Sequence, residues 1–548
     1  MKRTILIKFN AGIFILFLSG LLTPVKAQTN YYFYIQFSDK KNTPYSLSNP
    51  SVFLSARAIE RRAAFNIAID STDLPVNSLN VSQIENLGIH VHNASKWMNG
   101  ATVILPDSSK MSMVRSLPFV KFVEYTGLLQ GPPLAPKQKI TKQTTLDYGI
   151  ANTQITQLNG KQLHNEGFMG QGIQIGVIDA GFTNVNTNPA FDSLRLQGRL
   201  LGTKDIINAN SNIYTEDAHG ADVLSIMTGN LPGQFLGTAP KASFWLIRTE
   251  YSPTEYKVET DFWCSGIEFA DSVGVDVVTS SLGYYGFDDP TMSFTYADMN
   301  GKISRASRAA NLASKKGLVV LVAAGNEGTS AWHYIGSPAD ADGIIAVGGV
   351  TSTGIPSSFT SFGPSSDGRV KPEICAMGTQ TAIVDPNGTP TNGNGTSFAT
   401  PAMAGMMACL LQKYKVTNSN PNVDFFQQSV FKTGNHFNNP TAQMGYGIPD
   451  FVQAETNLTF LNSLNQIRKN NFTIATNYIF KTLIIRFSGI TNPVNSSIRI
   501  YSITGDLIIS QSLSDSPTVI RTEHFTPGIY AVCISENGKT VTQKVMIR

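Results

Sequence analysis

Charge is scarce in this chain. Only 15% of its 548 residues are Asp, Glu, Lys or Arg, and the formal net charge is +4. Four of the 42 basic residues (Lys2, Arg3, Lys8 and Lys26) crowd into the first 27 positions, where there is no acid, and the other 38 balance the 38 acids. A nucleic-acid partner gathered by bulk positive charge is therefore excluded. Cysteine is also sparse. Cys264, Cys375, Cys409 and Cys533 are far apart and form no CxxC pair, which argues against a zinc site. They read as four buried small apolar residues. Export would permit disulfides, but no connectivity follows from the spacing. Beyond the N-terminus no apolar run reaches the ~18 residues of a membrane span. Low-complexity sequence is missing too, and with 42% hydrophobic residues the chain has material for large cores. Its length exceeds one ordinary domain.

The N-terminus has the order of an export signal. Met1 to Lys8 carry three positive charges, Ala11 to Leu22 is apolar, and Val25-Lys26-Ala27 offers a small-x-small cleavage site. Residues 1–27 are predicted to be a secretory signal peptide, because the apolar run is short for a bilayer-spanning anchor.

Three further units follow. Residues 28–136 mix short strand-like segments, such as Tyr31 to Phe37 and Ala101 to Leu105, with a helix over Ser55–Phe65 carrying Arg57, Glu60, Arg61 and Arg62. This predicts a small α+β domain. It ends in Gly131-Pro132-Pro133-Leu134-Ala135-Pro136-Lys137, a stretch expected to be an exposed, cleavable linker. In residues 137–460, short apolar strands (Ile173–Ile178, Phe244–Ile247, Val275–Ser280, Leu318–Ala324, Ile344–Val347) alternate with helices (Ala218–Thr228, Tyr256–Val273, Ser304–Lys316, Thr400–Tyr414). That pattern predicts an α/β fold, a parallel sheet with helices on both faces. Residues 461–548 hold only strand-like runs separated by turn signals, and predict a small β-sandwich.

Four polar residues stand out against this frame. Asp179 ends the strand Ile173–Ile178, where open α/β sheets place their ligand crevice. His219-Gly220 opens a helix. Asn326 follows the strand Leu318–Ala324, where its amide could donate to a developing oxyanion. Gly393-Asn394-Gly395-Thr396-Ser397-Phe398-Ala399-Thr400-Pro401 presents Ser397 at the start of an apolar helix, and a helix N-terminus supplies donors to a nucleophile's site. Taken singly, a turn Asp, a helix-capping His, a turn Asn and a Ser N-cap are the commoner readings.

Taken together, the order Asp, His, Asn, Ser and the string Gly395-Thr396-Ser397-Phe398-Ala399-Thr400-Pro401 resemble the subtilisin-like serine peptidases, or subtilases. Gly237 to Ala242, Ser280-Ser281-Leu282-Gly283 and Phe359 to Pro364 are similar to further family segments. The resemblance implies a secreted serine endopeptidase working through an acyl-enzyme. Ser397 would attack, His219 would move the proton and Asp179 would orient it, while Asn326 and the Ser397 N–H would hold the oxyanion. It also implies a substrate cleft lined by Ser281, Leu282, Gly283, Ala323, Ala324 and Gly325. These small apolar segments suggest apolar or aromatic residues at P1, the residue on the acyl side of the cleaved bond.

Three positions depart from the family pattern. Ala180 follows Asp179, and Ala221-Asp222 follow His219-Gly220; none removes a triad member. His164 and His333 fall outside the pattern and are assigned surface or substrate-loop roles. No cofactor is required for the chemistry. Subtilases often bind structural calcium, and the insert Tyr284 to Pro290 is one place to look, although a plain solvated loop is the simpler reading.

The resemblance extends to the flanks. The unit before the linker is similar to a subtilase propeptide, which implies a zymogen cut in or near 127–146. The tail, with Gly528-Ile529-Tyr530 and Lys544-Val545-Met546-Ile547, resembles the C-terminal sorting domain of type IX secretion. The implied partners are protein or peptide substrates, the chain's own propeptide and the type IX machinery, with no nucleic acid. The implied destination is the cell surface or medium, via the periplasm. Two other functions stand beside the hydrolase: a catalytically inactive subtilase scaffold that binds partners at the surface, and a processing enzyme or ligase sharing the acyl-enzyme.

Overall fold

The computed structural model describes residues 30–129, 147–417, 422–458, 472–477, 482–487, 496–502, 504–513, 518–536 and 539–547. The predicted signal peptide and the Pro-rich linker lie outside them.

The N-terminal unit is a four-stranded antiparallel sheet in the order 90–95, 100–105, 30–37, 120–129, with helices Ala56–Ala64 and Ser78–Glu85. The alternation in Tyr32-Phe33-Tyr34-Ile35 explains its two faces, because successive strand side chains point to opposite sides. Phe33, Ile35 and Phe37 pack with Ile84, Val103 and Val114 in the unit's own core. Tyr32 and Tyr34 point the other way and join a cluster containing Phe262, Ala306 and Ala309. Those residues belong to helices Val258–Val273 and Arg305–Lys315 of the next unit. The sheet therefore lies across two helices of the following domain.

That domain is built on a seven-stranded parallel sheet in the order 374–377, 345–350, 319–323, 277–280, 174–179, 243–248, 200–205. Val319–Ala323 is buried throughout, the expected burial of a strand covered on both faces. After 174–179 the chain crosses to the far edge at 200–205, steps back in to 243–248 beside 174–179, then passes to 277–280 on the other side. This reversal opens a crevice at the carboxyl ends of 174–179 and 277–280.

Five strands were legible in the sequence. The two edges, Leu200–Asp205 and Ile374–Met377, were not. The first is half-buried over Leu200–Gly202 and exposed at Thr203 and Lys204, and the second, Ile-Cys-Ala-Met, has a single β-branched residue. The helix predicted over Thr400–Tyr414 runs over Thr396–Thr417, with Pro401 inside it. Pro401 has no N–H for the carbonyl four residues back. That carbonyl, Ser397 O, accepts instead from Ser281 Oγ at 2.8 Å, so the helix starts a full turn before the proline.

Three expectations are corrected. The insert after Ser281-Leu282-Gly283 is no plain solvated loop: Tyr284 and Phe287 are buried, because their rings join the core beneath the two helices. His164 is not at the surface. It is 1% exposed, held between Tyr148 OH at 2.9 Å and Thr238 O at 3.0 Å. Among the cysteines Cys264, Cys375 and Cys409 are buried, but Cys533 is half-buried, and none is bridged.

The C-terminal strands form two antiparallel sheets, 472–477/482–487/518–521 and 507–513/496–502/528–536/539–547. Ile474, Leu483 and Ile485 from one share a core with Ile498, Ile500, Val532 and Ile547 from the other, the arrangement of a sandwich. Among the described residues no helix is long and apolar enough to cross a membrane.

Candidate active site

The four singled-out residues come from four elements that end at the sheet's crevice. Asp179 is the last residue of its strand and is fully buried. His219 begins the helix His219–Thr228, and its Nδ1 lies 2.8 Å from Asp179 Oδ1. Helix and strand can approach this closely because residue 220 has no side chain. A Cβ there would stand 2.3 Å from Gly181 O and 2.9 Å from Asp179 Cβ. Asp179 Oδ1 also accepts from Ala180 N at 2.8 Å. The carboxylate is thereby fixed, and the imidazole's other nitrogen faces away from it.

Ser397 is the second residue of its helix and is 9% exposed. Its Oγ donates to Ser281 O at 3.4 Å, and no hydrogen bond joins it to His219 among the described residues. The ring of the next residue, Phe398, lies 6.0 Å from the His219 ring, which puts the start of this helix beside the imidazole. Asn326 Oδ1 accepts from Thr396 N at 2.9 Å and from Thr396 Oγ1 at 3.0 Å. With the carbonyl end so occupied, the amide's NH2 is left as a donor facing outward.

A cavity of about 120 Å³ opens at this point. All six residues expected to line the substrate cleft line it: Ser281, Leu282, Gly283, Ala323, Ala324 and Gly325, joined by Asn326, Thr396 and Ser397. A larger cavity of about 1090 Å³, near Phe65, Arg369 and Tyr446, holds none of the candidate residues.

The subtilase family profile matches residues 170–447. The chain is a subtilase. Two further profiles cover its flanks: the peptidase S8 propeptide domain of Bacteroidota over residues 32–144, and the secretion system C-terminal sorting domain over 469–548. Subtilisin NAT from Bacillus subtilis subsp. natto is 28% identical over 358 residues, covering 65% of this chain and 81% of that protein. Subtilisin from Bacillus pumilus is 31% identical over 264 residues, 47% of this chain and 84% of the relative. Among solved structures, that of prenylagaramide maturation protease PagA aligns with a TM-score of 0.42 at 21% identity, over 55% of this chain and 98% of the other. The protein is thus a subtilisin-like serine endopeptidase with a propeptide and a type IX sorting domain, secreted or held at the cell surface.

The electrostatics of this subtilase's crevice are acidic. Burial works against charge on His219, but the Asp179 carboxylate, its hydrogen bond, Glu250 and Asp217 more than offset it and raise the imidazole to about 9. Asp222, one turn along the helix, is pushed up to about 7 by burial, with His219 opposing and Asp385, Asp179 and Asp217 adding to the rise. Several residues of the crevice escaped the sequence reading. Asp217 accepts from His219 N and from Ser252 Oγ, both at 2.8 Å, and so fixes the start of the histidine helix. Tyr285 OH donates to Glu327 Oε2 at 2.9 Å, and both residues line the cavity. Adjacency to Asn326 could have flagged Glu327. Glu250 gave no signal, because only the sheet order brings it to His219.

Asp289 Oδ1 is taken by Thr291 N and Oγ1, and Asp288 Oδ2 by Glu255 N. Among the described residues no three His, Cys, Asp or Glu side chains converge as metal ligands. His333 sits outside the cavity, stacked on Phe362 with Nδ1 against Gly328 O at 2.9 Å.

Proposed function

We propose that Asp179, His219 and Ser397 are the catalytic triad of a self-processing zymogen that cleaves proteins through an acyl-enzyme. The observation that carries this reading is the 2.8 Å Asp179–His219 pair beside Ser397 at the mouth of the small cavity. As substrate enters, the Ser397 hydroxyl turns from Ser281 O to His219 Nε2. Oγ adds to the carbonyl carbon while its proton passes to Nε2, and Asp179 stabilises the imidazolium. Negative charge gathers on the carbonyl oxygen, where Asn326 Nδ2 and the Ser397 N–H donate to it. Collapse breaks the C–N bond, and the leaving amine takes the proton from His219. Water, deprotonated by the same imidazole, then releases the acid and restores Ser397.

Of the residues lining the cavity, Ser281, Leu282, Gly283, Ala323, Ala324 and Gly325 bear nothing larger than a leucine side chain, which supports apolar or aromatic residues at P1. The self-processing cut falls within 127–146, whose greater part lies outside the described residues. The test is the chain lacking residues 1–27, beside its Ser397→Ala variant, treated with a fluorophosphonate probe and weighed. Labelling of the first alone, with loss of about a hundred N-terminal residues, is the expected result. Two folded, unlabelled proteins freed of the N-terminal unit would replace the enzyme with a binding scaffold.

A further inference from the structure

Beside the proposed triad lies a set of carboxylates that the mechanism does not use. Thr249 N donates to Asp179 O at 3.1 Å, so the next residue, Glu250, stands next to the Asp179–His219 pair. The loop that begins there is tied to the histidine helix through Ser252 Oγ and Asp217. It is tied to the insert after Gly283 through Asp288 N and Glu255 O at 2.8 Å, and Glu255 N and Asp288 Oδ2 at 3.1 Å. It therefore forms a wall between His219 and the cleft strand 281–283. Glu250 and Glu255 are both half-buried, and neither carboxylate accepts a hydrogen bond among the described residues. Glu259, behind them, is spent: its two oxygens accept Tyr251 N at 2.8 Å and Tyr256 N at 3.3 Å. A second, independent observation is Tyr284. Its side chain is 0% exposed and lies in the field of Glu250, Glu259 and Glu255, yet its hydroxyl has no partner among the described residues. Buried polar groups are normally paired, so an orphan of this kind needs a reason.

We propose that Glu250 and Glu255 form a subsite for a cationic side chain, lysine or arginine, at P2, the substrate residue immediately N-terminal to the one seated in the Ser281–Gly325 cavity. This rests on the peptidase reading above. In an extended peptide successive side chains point to opposite sides. With P1 in the cavity, P2 turns toward His219 and the Glu250 wall. An ammonium brings three donors and a guanidinium five, matching two open carboxylates backed by an unpaired hydroxyl. Burial, then the charge of Asp179, with His219 opposing, raises Glu250 to about 7. Burial, then Glu250 and Asp288, pushes Glu255 to about 8. A substrate cation supplies the opposite charge that these groups lack. The chain's own processing region has the complementary character: Lys137, Lys139 and Lys142 occur within residues 130–146, which contain no acid, and Leu129 just before them packs in one cluster with Tyr251.

The test uses the self-processed enzyme and fluorogenic peptides with phenylalanine at P1 and lysine, arginine, glutamate or norleucine at P2. The readout is the ratio of kcat/KM for the cationic peptide over its norleucine twin. Wild type is expected to favour the cation by about tenfold or more, a ratio worth ~1.4 kcal/mol. Glu250→Gln with Glu255→Gln is expected to bring the ratio near one, and Glu250→Lys to turn preference toward glutamate at P2. Fluorophosphonate titration counts competent sites, so a partly misfolded variant is still read correctly. A wild-type ratio near one, or a ratio that survives the double substitution, overturns the subsite. If the enzyme labels and cleaves the norleucine peptide without preferring the cation, only the subsite falls. If it neither labels nor cleaves any peptide, the peptidase reading falls and the subsite with it.

Discussion

The propeptide of this subtilase is held by charge buried as deeply as a core, and one substitution measures how much that matters. Arg61, on the propeptide helix Ala56–Ala64, has a side chain 1% exposed, and it meets Asp271, 0% exposed, on the catalytic domain at 2.5 Å. The same guanidinium donates to Val275 O, to Asp271 O at 3.2 Å and to Lys316 O at 3.3 Å. Arg61→Met would leave three carbonyls at the ends of helices Val258–Val273 and Arg305–Lys315 without this donor. Asp271 would keep Arg62 at 2.9 Å and Lys96 at 3.1 Å, so its charge is not left bare. Breaking a buried pair by removing one partner costs about 3–5 kcal/mol, and the surviving partners place this case near the lower figure. About 3 kcal/mol corresponds to a roughly 100- to 200-fold loss of affinity. In the free propeptide Arg61 faces solvent on a unit with its own core, so the loss belongs to the complex. The assay is inhibition of the mature enzyme by separately made residues 28–129, with and without the substitution. Lys41→Met serves as control, since its pair with Asp39 is 3.5 Å long and exposed, a kind worth little. A change in Ki below about fivefold for Arg61→Met would refute the reasoning, as would a weakening equally large for the control.

Other consequences can be measured on the mature enzyme. Asn326→Ala removes a proposed oxyanion donor and is expected to lower kcat by ~100- to 1,000-fold with KM little changed; a loss confined to KM would remove that role. The base must be neutral, and the acidic surroundings hold His219 protonated up to about pH 9. Activity should therefore climb roughly tenfold per pH unit through the neutral range and level off near pH 9, and a plateau already reached at pH 7 would contradict that. The sign for stability is the reverse: the His219–Asp179 pair contributes fully below the ordinary imidazole value of 6.5 and fades as pH rises through about 9. Gly220→Ala places a Cβ 2.3 Å from Gly181 O. It should displace the histidine helix from Asp179 and cut kcat/KM by more than an order of magnitude, about what even a small misplacement costs; full activity would show that the helix can shift without harm.

Much of this enzyme was written in short stretches of sequence. The strand Val319–Ala323 is an unbroken apolar run, so the sheet's centre is visible without any partner. Asp179, His219, Asn326 and Ser397 each sit at a strand end or helix start, where local turn residues announce them. Leu200–Asp205 and Ile374–Met377 could not be seen, because an edge strand with exposed polar residues or with a single β-branched residue becomes a strand only by pairing with a neighbour. Tertiary structure alone decided the rest. Asp179 and His219 lie forty positions apart, and Ser281 and Ser397 meet across 116. Arg61 finds Asp271 across 210, although nothing in the helix that carries it says which charge it will bury against. Glu250, Glu255 and Tyr284 look unremarkable where they stand in the chain. Periodicity and turn chemistry act over a few residues, and so a sequence displays them. Desolvation and charge coupling depend on what the fold brings within a few ångströms, and those neighbours are set by the sheet's crossing order.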